Sequence, residues 1–217
     1  MIPNITLDSL QTLSEDQFNL IETIRNEYKL GMLALNSLSE HTVTIYGGSL
    51  VCQDDLIYKD IQNIAKLLSQ ENWSIVSGGG PGIMSAALSG AKEGKGKAVA
   101  FCIDIPGEPP FIYPDISITF SQFSVRKYLL RQSDIFIFAP GGVGTLDELM
   151  EVITLIKTHK HPLKKIFLYD SNFWHDYLRW IENILVIQRK VVSGEFVTLF
   201  HLVDSAQEIM NIIQYEK

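Results

Sequence analysis

Cysteine is almost absent: Cys52 and Cys102 are the only two in 217 residues. Neither belongs to a cluster with zinc-ligand spacing, and one bridge at most does not make a disulfide scaffold. Cys102 sits in an apolar run and reads as a small buried hydrophobe. Long apolar runs are also missing, so no membrane-spanning segment is read. The opening residues Met1, Ile2, Pro3 and Asn4 lack a basic-then-apolar leader pattern. A reducing cytoplasm is therefore the expected location, with no membrane partner. Positive charge is in deficit: 18 Lys and Arg face 25 Asp and Glu, a formal net charge of −7, with no long basic run. Nucleic-acid polymers are held by neutralising their phosphates with a basic face, so that class of partner is not expected. A small anion stays compatible, because one pocket can be positive inside an acidic protein. Linkers, repeats and low-complexity tracts are lacking too, which points to a globular chain with its own core.

What the sequence does contain is alternation. Ser14, Glu15, Asp16 and Gln17 fit a capping box that opens a helix. Phe18, Ile21, Ile24, Tyr28 and Leu35 continue it at helical spacing to about Leu38. Residues 1–40 are read as a helical extension packing on the domain or on a partner subunit, and 41–217 as the catalytic domain. From there strands are expected at 42–46, 73–76, 97–103, 116–120, 134–139, 165–169 and 200–203. Helices are expected at 57–68, 82–93, 125–131, 145–157, 173–187 and 205–215. Apolar strands alternating with helices define an α/β fold, a Rossmann-like doubly wound parallel sheet with helices on both faces. Such sheets bind ligands at the carboxyl ends of their strands. Three strands run into glycines, at Gly47-Gly48, Gly78-Gly79-Gly80 and Gly141-Gly142, so the site is expected where these loops converge.

The strongest element is Pro140-Gly141-Gly142-Val143-Gly144-Thr145, between a strand and a helix. Glycines permit close approach and positive φ. A helix start offers unpaired N–H groups and a positive dipole end, which suit a phosphate, and Thr145 adds a hydroxyl. A plain tight turn is the bland alternative. Thr145 through Glu148 also fits a capping box, with Thr145 as N-cap, but an acid beside a bound phosphate repels it. A carboxylate kept there suits chemistry one sugar-length away, where it can stabilise an oxocarbenium-like state or activate water. Gly80, Gly82 and Ser85, with Asp104 ending the next strand, loosely mimic a dinucleotide fingerprint and invite an NAD reading. A nucleotide-wall loop is preferred, with Met84 either touching the base or buried in the core. In Ser124-Val125-Arg126-Lys127, Lys127 and Arg131 stand four apart and repel, which an anion would relieve. Arg126 either holds the ribose, the base or the transition state, or belongs to a solvated basic face. His159 and His161 lack companions for a metal site and are read as exposed residues complementing a helix C-terminus.

Taken together, these residues resemble the LONELY GUY family, the cytokinin-riboside 5′-monophosphate phosphoribohydrolases, many once labelled lysine decarboxylases. Its proline–glycine–glycine loop ending in glutamate is met by Pro140 through Glu148. Its arginine–lysine pair is met by Arg126 and Lys127, and its glycine-rich loop by Gly78 through Met84. The longer bacterial branch is the nearer match, and the resemblance covers roughly residues 42–205. It implies hydrolysis of a nucleoside 5′-monophosphate to free base and ribose 5-phosphate, without metal or cofactor. It also implies a homodimer or higher homo-oligomer with sites near the interface. Arg126 and Glu148 are then catalytic. Gly141, Gly142, Gly144 and Thr145 hold the phosphate, and Gly79, Gly80, Gly82, Met84, Lys127 and Ser49 contact the nucleotide. One departure stands out: the branch usually places an arginine where this chain has Leu50. A nucleotide sensor without turnover and an NAD(P)-dependent oxidoreductase are the rival functions. No lysine sits in a recognisable pyridoxal-phosphate context.

Overall fold

The structure is a computed structural model that describes residues 13–38, 41–105, 109–111 and 113–215. Seven strands form one parallel sheet in the order β4-β3-β2-β1-β5-β6-β7. They are β1 (Thr42–Tyr46), β2 (Ser74–Ser77), β3 (Ala98–Ile103), β4 (Ile116–Phe120), β5 (Ile135–Phe138), β6 (Lys165–Tyr169) and β7 (Phe200–Val203). Every residue of β2 and β5 is buried, as expected for strands covered on both faces. The chain winds outward from β1 to β4, then crosses back to place β5 on the free side of β1, pairing Thr44 with Phe136. The reversal makes a switch point between β1 and β5, where the carboxyl ends of the strands splay their loops apart.

The helices are α1 (Glu15–Asn36), α2 (Leu56–Gln70), α3 (Ile83–Ala91), α4 (Phe123–Leu130), α5 (Val143–Lys157), α6 (Ser171–Trp180) and α7 (Ala206–Tyr215). Two cores result, one per sheet face. Helices α2, α3 and α7 bury Ile61, Leu68, Ile83 and Ile209 against Val43, Ile45, Ile75 and Ile137. On the other face α4, α5 and α6 bury Val125, Leu129, Ile153 and Trp174 against Val76, Phe101, Phe136 and Phe138. In α2, Tyr58, Ile61, Ile64, Ala65 and Leu68 recur every three or four residues and form the buried stripe.

The capping box of α1 is present in full: Gln17 N donates to Ser14 Oγ at 3.3 Å and Ser14 N to Gln17 Oε1 at 2.9 Å. Helix α1 docks on α4, with Tyr28 edge-on to Tyr128 at 5.0 Å and Gly31 seated against Leu129, where a side chain would collide. Three expectations need correction. Helix α5 begins at Val143 with Gly142 as N-cap and no side-chain cap, so Thr145 lies inside the first turn and the 145–148 capping box does not form. The helix expected at 173–187 ends at Trp180 and runs on as a π-helix over Ile181–Gln188. A 3-10 helix, Gly194–Leu199, then leads into β7 and was not foreseen.

Candidate active site

All three glycine loops meet around one cavity of about 510 Å³ at the switch point. Gly48 N donates to Pro140 O at 3.0 Å, and Ile83 N donates to Gly48 O at 3.0 Å, so the loops after β1, β2 and β5 are tied together by backbone bonds. The glycines serve different ends. Gly79 and Gly82 alone among the described glycines have positive φ, 76° and 65°, where a Cβ is disfavoured. Gly141 has no room for a side chain, because Thr145 and Gly48 N fill the space. At Gly142 and Gly144 a Cβ would meet no protein atom within 4 Å. Positive φ, one of the two reasons expected from sequence, does not apply there, and packing does not require glycine either. The open volume beside them is what their small size preserves.

The first amide to donate within α5 is that of Leu146, to Gly142 O at 3.1 Å. The amides of residues 143–145 precede it, and Val143, Gly144 and Thr145 line the cavity together with Gly142. Unpaired amides and the positive helix end together make an anion-binding tip.

One turn into α5, Glu148 lines the same cavity. Arg126 stands over it, with Nη1 3.6 Å from Glu148 Oε1 and both side chains largely buried. Arg126 is held from behind: Nε donates to Phe101 O at 2.6 Å and Nη2 to Gly78 O at 3.3 Å. These bonds fix the guanidinium at 7 % exposure, which overturns the solvated-face reading. Gly78 is glycine for space, since a Cβ there would strike Arg126 Nη2. Burial pushes the Glu148 carboxyl up to about 7, outweighing the opposing pull of Arg126 and Lys127. Glu148 thus titrates near neutrality, as suits an acid–base or charge-stabilising group.

Lys127 also lines the cavity, but its ammonium is already engaged by Asp147 at 2.7 Å and Glu151 at 2.8 Å. Arg131 reaches Glu151 at 2.8 Å as well. The anion that relieves the Lys127–Arg131 repulsion is therefore Glu151 of the protein itself. Ser49, Gly79, Gly80 and Met84 line the cavity, together with Arg126, Glu148, Gly142, Gly144 and Thr145. Gly141 and Gly82 do not: they pack the loops beneath it, Gly82 against Gly48 O. Asp104, singled out in the sequence only for a dinucleotide fingerprint, lines the same cavity, and sequence reasoning missed Ile103, Ile105 and Phe123, which line it with Cys102.

Residues 84–213 match the family described as "Possible lysine decarboxylase". The chain is 32% identical over 155 residues to the cytokinin riboside 5′-monophosphate phosphoribohydrolase LOG2 of Arabidopsis thaliana, covering 70% of this chain and 72% of that protein. It is 24% identical over 203 residues to the pyrimidine/purine nucleotide 5′-monophosphate nucleosidase of Escherichia coli K12, covering 85% of this chain and 41% of that one. Among solved structures, TM1055 superposes with a TM-score of 0.60 at 19% identity, covering 81% of this chain and 99% of that one. The molybdenum cofactor binding protein of Rippkaea orientalis gives 0.58 at 20% identity, covering 82% and 98%. At these identities the two structures establish the fold alone.

Proposed function

Since the chain belongs to the LONELY GUY family, that of the "Possible lysine decarboxylase" description, we propose that it hydrolyses the base–sugar bond of a nucleoside 5′-monophosphate. The substrate is AMP-like or a cytokinin riboside monophosphate, and the products are free base and ribose 5-phosphate. The observation that carries the reading is one cavity lined both by the start of α5, residues 142–145, and by Glu148. The amides and the Thr145 hydroxyl take the 5′-phosphate, which fixes the sugar against the loops of Gly47-Gly48 and Gly78. Its anomeric carbon then lies by Glu148, one helical turn from the tip. As the bond from C1′ to the base nitrogen breaks, positive charge grows on C1′ and the ring oxygen, and the ionised Glu148 stabilises it. Water adds its hydroxyl to C1′, and its proton completes the departing base. Arg126, clamped by two carbonyls, holds the Glu148 carboxylate and the ribose in place. The base runs toward Met84 and the apolar residues Ile103, Ile105 and Phe123.

The same reading makes the protein cytoplasmic and homo-oligomeric. No helix among the described residues is long and apolar enough to cross a membrane. Val143 at 84 % and Phe123 at 55 % exposure are exposed apolar residues that line the cavity, and Leu50, next to Ser49, is 93 % exposed; a second subunit would cover them.

Purified protein incubated with a panel of purine and pyrimidine 5′-monophosphates, followed by chromatography for free base, tests the function directly. Release of base and ribose 5-phosphate in equal amounts is expected; turnover of none of the panel refutes it. A nucleotide binder without turnover is separated by the same assay, since it would retain AMP and release nothing.

A further inference from the structure

A second cavity, of about 650 Å³, opens at the opposite end of α5. A helix of 15 residues puts it roughly 22 Å from the helix tip, at the amino edge of the sheet. Its polar lining is Lys157, His159, Lys160, His161 and Ser193, with no carboxylate among the lining residues. In a chain of net charge −7, Lys157 and Lys160 put two positive charges on one cavity that no acid lines. None of the four basic groups is ion-paired with a described carboxylate, whereas Lys66, Lys92, Lys127 and Lys164 are.

Hydrogen bonding to the last carbonyls of α5 does not account for them. The last carbonyls of the helix already accept from backbone amides: Thr154 O from Thr158 N, Ile156 O from His159 N, and Leu155 O from both Lys160 N and His161 N. His159 occupies a left-handed conformation, φ 55°, at a helix-terminating position where glycine is the unstrained choice. It is exposed and lines the cavity. His161, half-buried rather than exposed as expected from sequence, has Nδ1 2.9 Å from Pro162 O and Nε2 2.8 Å from Arg131 O. Lys157 is positioned too, its Nζ donating to Ser193 Oγ at 3.2 Å above the Phe196 ring. Leu163 and Leu199 add an apolar wall.

We propose that this cavity is a second anion site, separate from the substrate pocket, for a ligand with two adjacent phosphates joined to an apolar group. Paired phosphates match the two lysines, Lys157 and Lys160, with the His159 ring and the Ser193 hydroxyl lining the same space. The apolar wall matches a base or similar ring, and the volume exceeds what a single phosphate fills. The proposal is independent of the reaction assigned to the other pocket.

The test is calorimetric titration of the full chain with inorganic pyrophosphate and with ADP, each with and without saturating ribose 5-phosphate. Binding of both is expected, tighter for ADP by at least about threefold. It should persist with ribose 5-phosphate present and weaken at least about tenfold in Lys157→Ala/Lys160→Ala. Because both lysines are exposed, that variant should keep its thermal midpoint and its turnover of AMP. Absence of binding by either probe, displacement by ribose 5-phosphate, or full affinity in the double variant overturns the site. Equal affinity of the two probes overturns the apolar-group assignment and leaves pyrophosphate itself as the ligand.

Discussion

Replacing Glu148 by Gln should abolish turnover and make the protein more stable, but only at high pH. Gln keeps the size of the side chain and stands in for its neutral form. Folding raises the Glu148 carboxyl from 4.5 to about 7. At about 1.4 kcal/mol per pKa unit, the ionised form costs roughly 3 kcal/mol in the native state. The native protein thus takes up a proton more readily than the unfolded chain. Its stability is highest below the unfolded value and falls as pH rises through about 7. At pH 8.5 the wild type carries the whole cost, and Glu148→Gln should gain about 2–3 kcal/mol, or roughly 5–10 °C in Tm for a chain of this length. At pH 4.5 the gain should shrink below about 0.5 kcal/mol, because little of the native penalty is then felt. Thermal melts of both proteins at the two pH values supply the comparison, and AMP hydrolysis at pH 8.5 should drop at least about 100-fold. Equal melting points at pH 8.5, or a less stable variant there, would refute the picture of a carboxylate buried against its interest.

In the wild type, kcat/KM for AMP should rise with pH through a single ionisation near 7 as Glu148 loses its proton, and a rate that falls over that range would make it a proton donor instead. Gly144→Ala should leave Tm unchanged or slightly raised, since its Cβ meets no protein atom, while raising KM for AMP at least about tenfold by intruding on the phosphate. Gly79→Ala should behave oppositely, losing about 1–3 kcal/mol in denaturant unfolding, because φ is 76° and Cys102 Sγ blocks the Cβ. Arg126→Lys should lower kcat at least about 100-fold with the fold intact by circular dichroism, because an ammonium cannot reproduce the bonds to Phe101 O and Gly78 O while facing Glu148.

The alternation of apolar strands and helices was readable because the central strands here are buried on both faces and helices such as α2 on one, so periodicity and burial coincide. The start of α5 was misplaced by two residues because Thr145 and Glu148 have capping-box spacing, and spacing cannot reveal that Gly142 already provides the turn. The π-helical continuation over Ile181–Gln188 is invisible to a 3.6-residue period, since an inserted register shift leaves the apolar residues in place. Within the site, the convergence of the loops followed from their glycines. Which glycines make room for a ligand and which make room for protein did not, because that depends on neighbours distant in sequence: Thr145 and Gly48 for Gly141, Cys102 for Gly79. Likewise Lys127 looks like a ligand for an anion until the fold brings Asp147 and Glu151 to it.

The choice between an enzyme and a binding protein turns on a conflict between Glu148 and the helix tip. A pocket built only to retain a nucleoside monophosphate has no use for a buried carboxylate one turn from the phosphate. The acid repels the ligand, and its ionised form destabilises the fold by roughly 3 kcal/mol. Arg126 does not cancel that cost, since at 3.6 Å from Glu148 it lowers the carboxyl's affinity for protons by less than burial raises it. Were Arg126 there only to neutralise the acid, a closer pair with fewer bonds to Phe101 O and Gly78 O would serve better. The observed arrangement instead keeps a carboxylate near neutrality and a guanidinium fixed by the backbone, both opening onto the space beside the phosphate tip. Charge that is expensive in the resting protein is stabilised when positive charge develops at C1′, so the penalty borne in the ground state is recovered in the transition state. A retained cost of this kind has a function in turnover and none in storage.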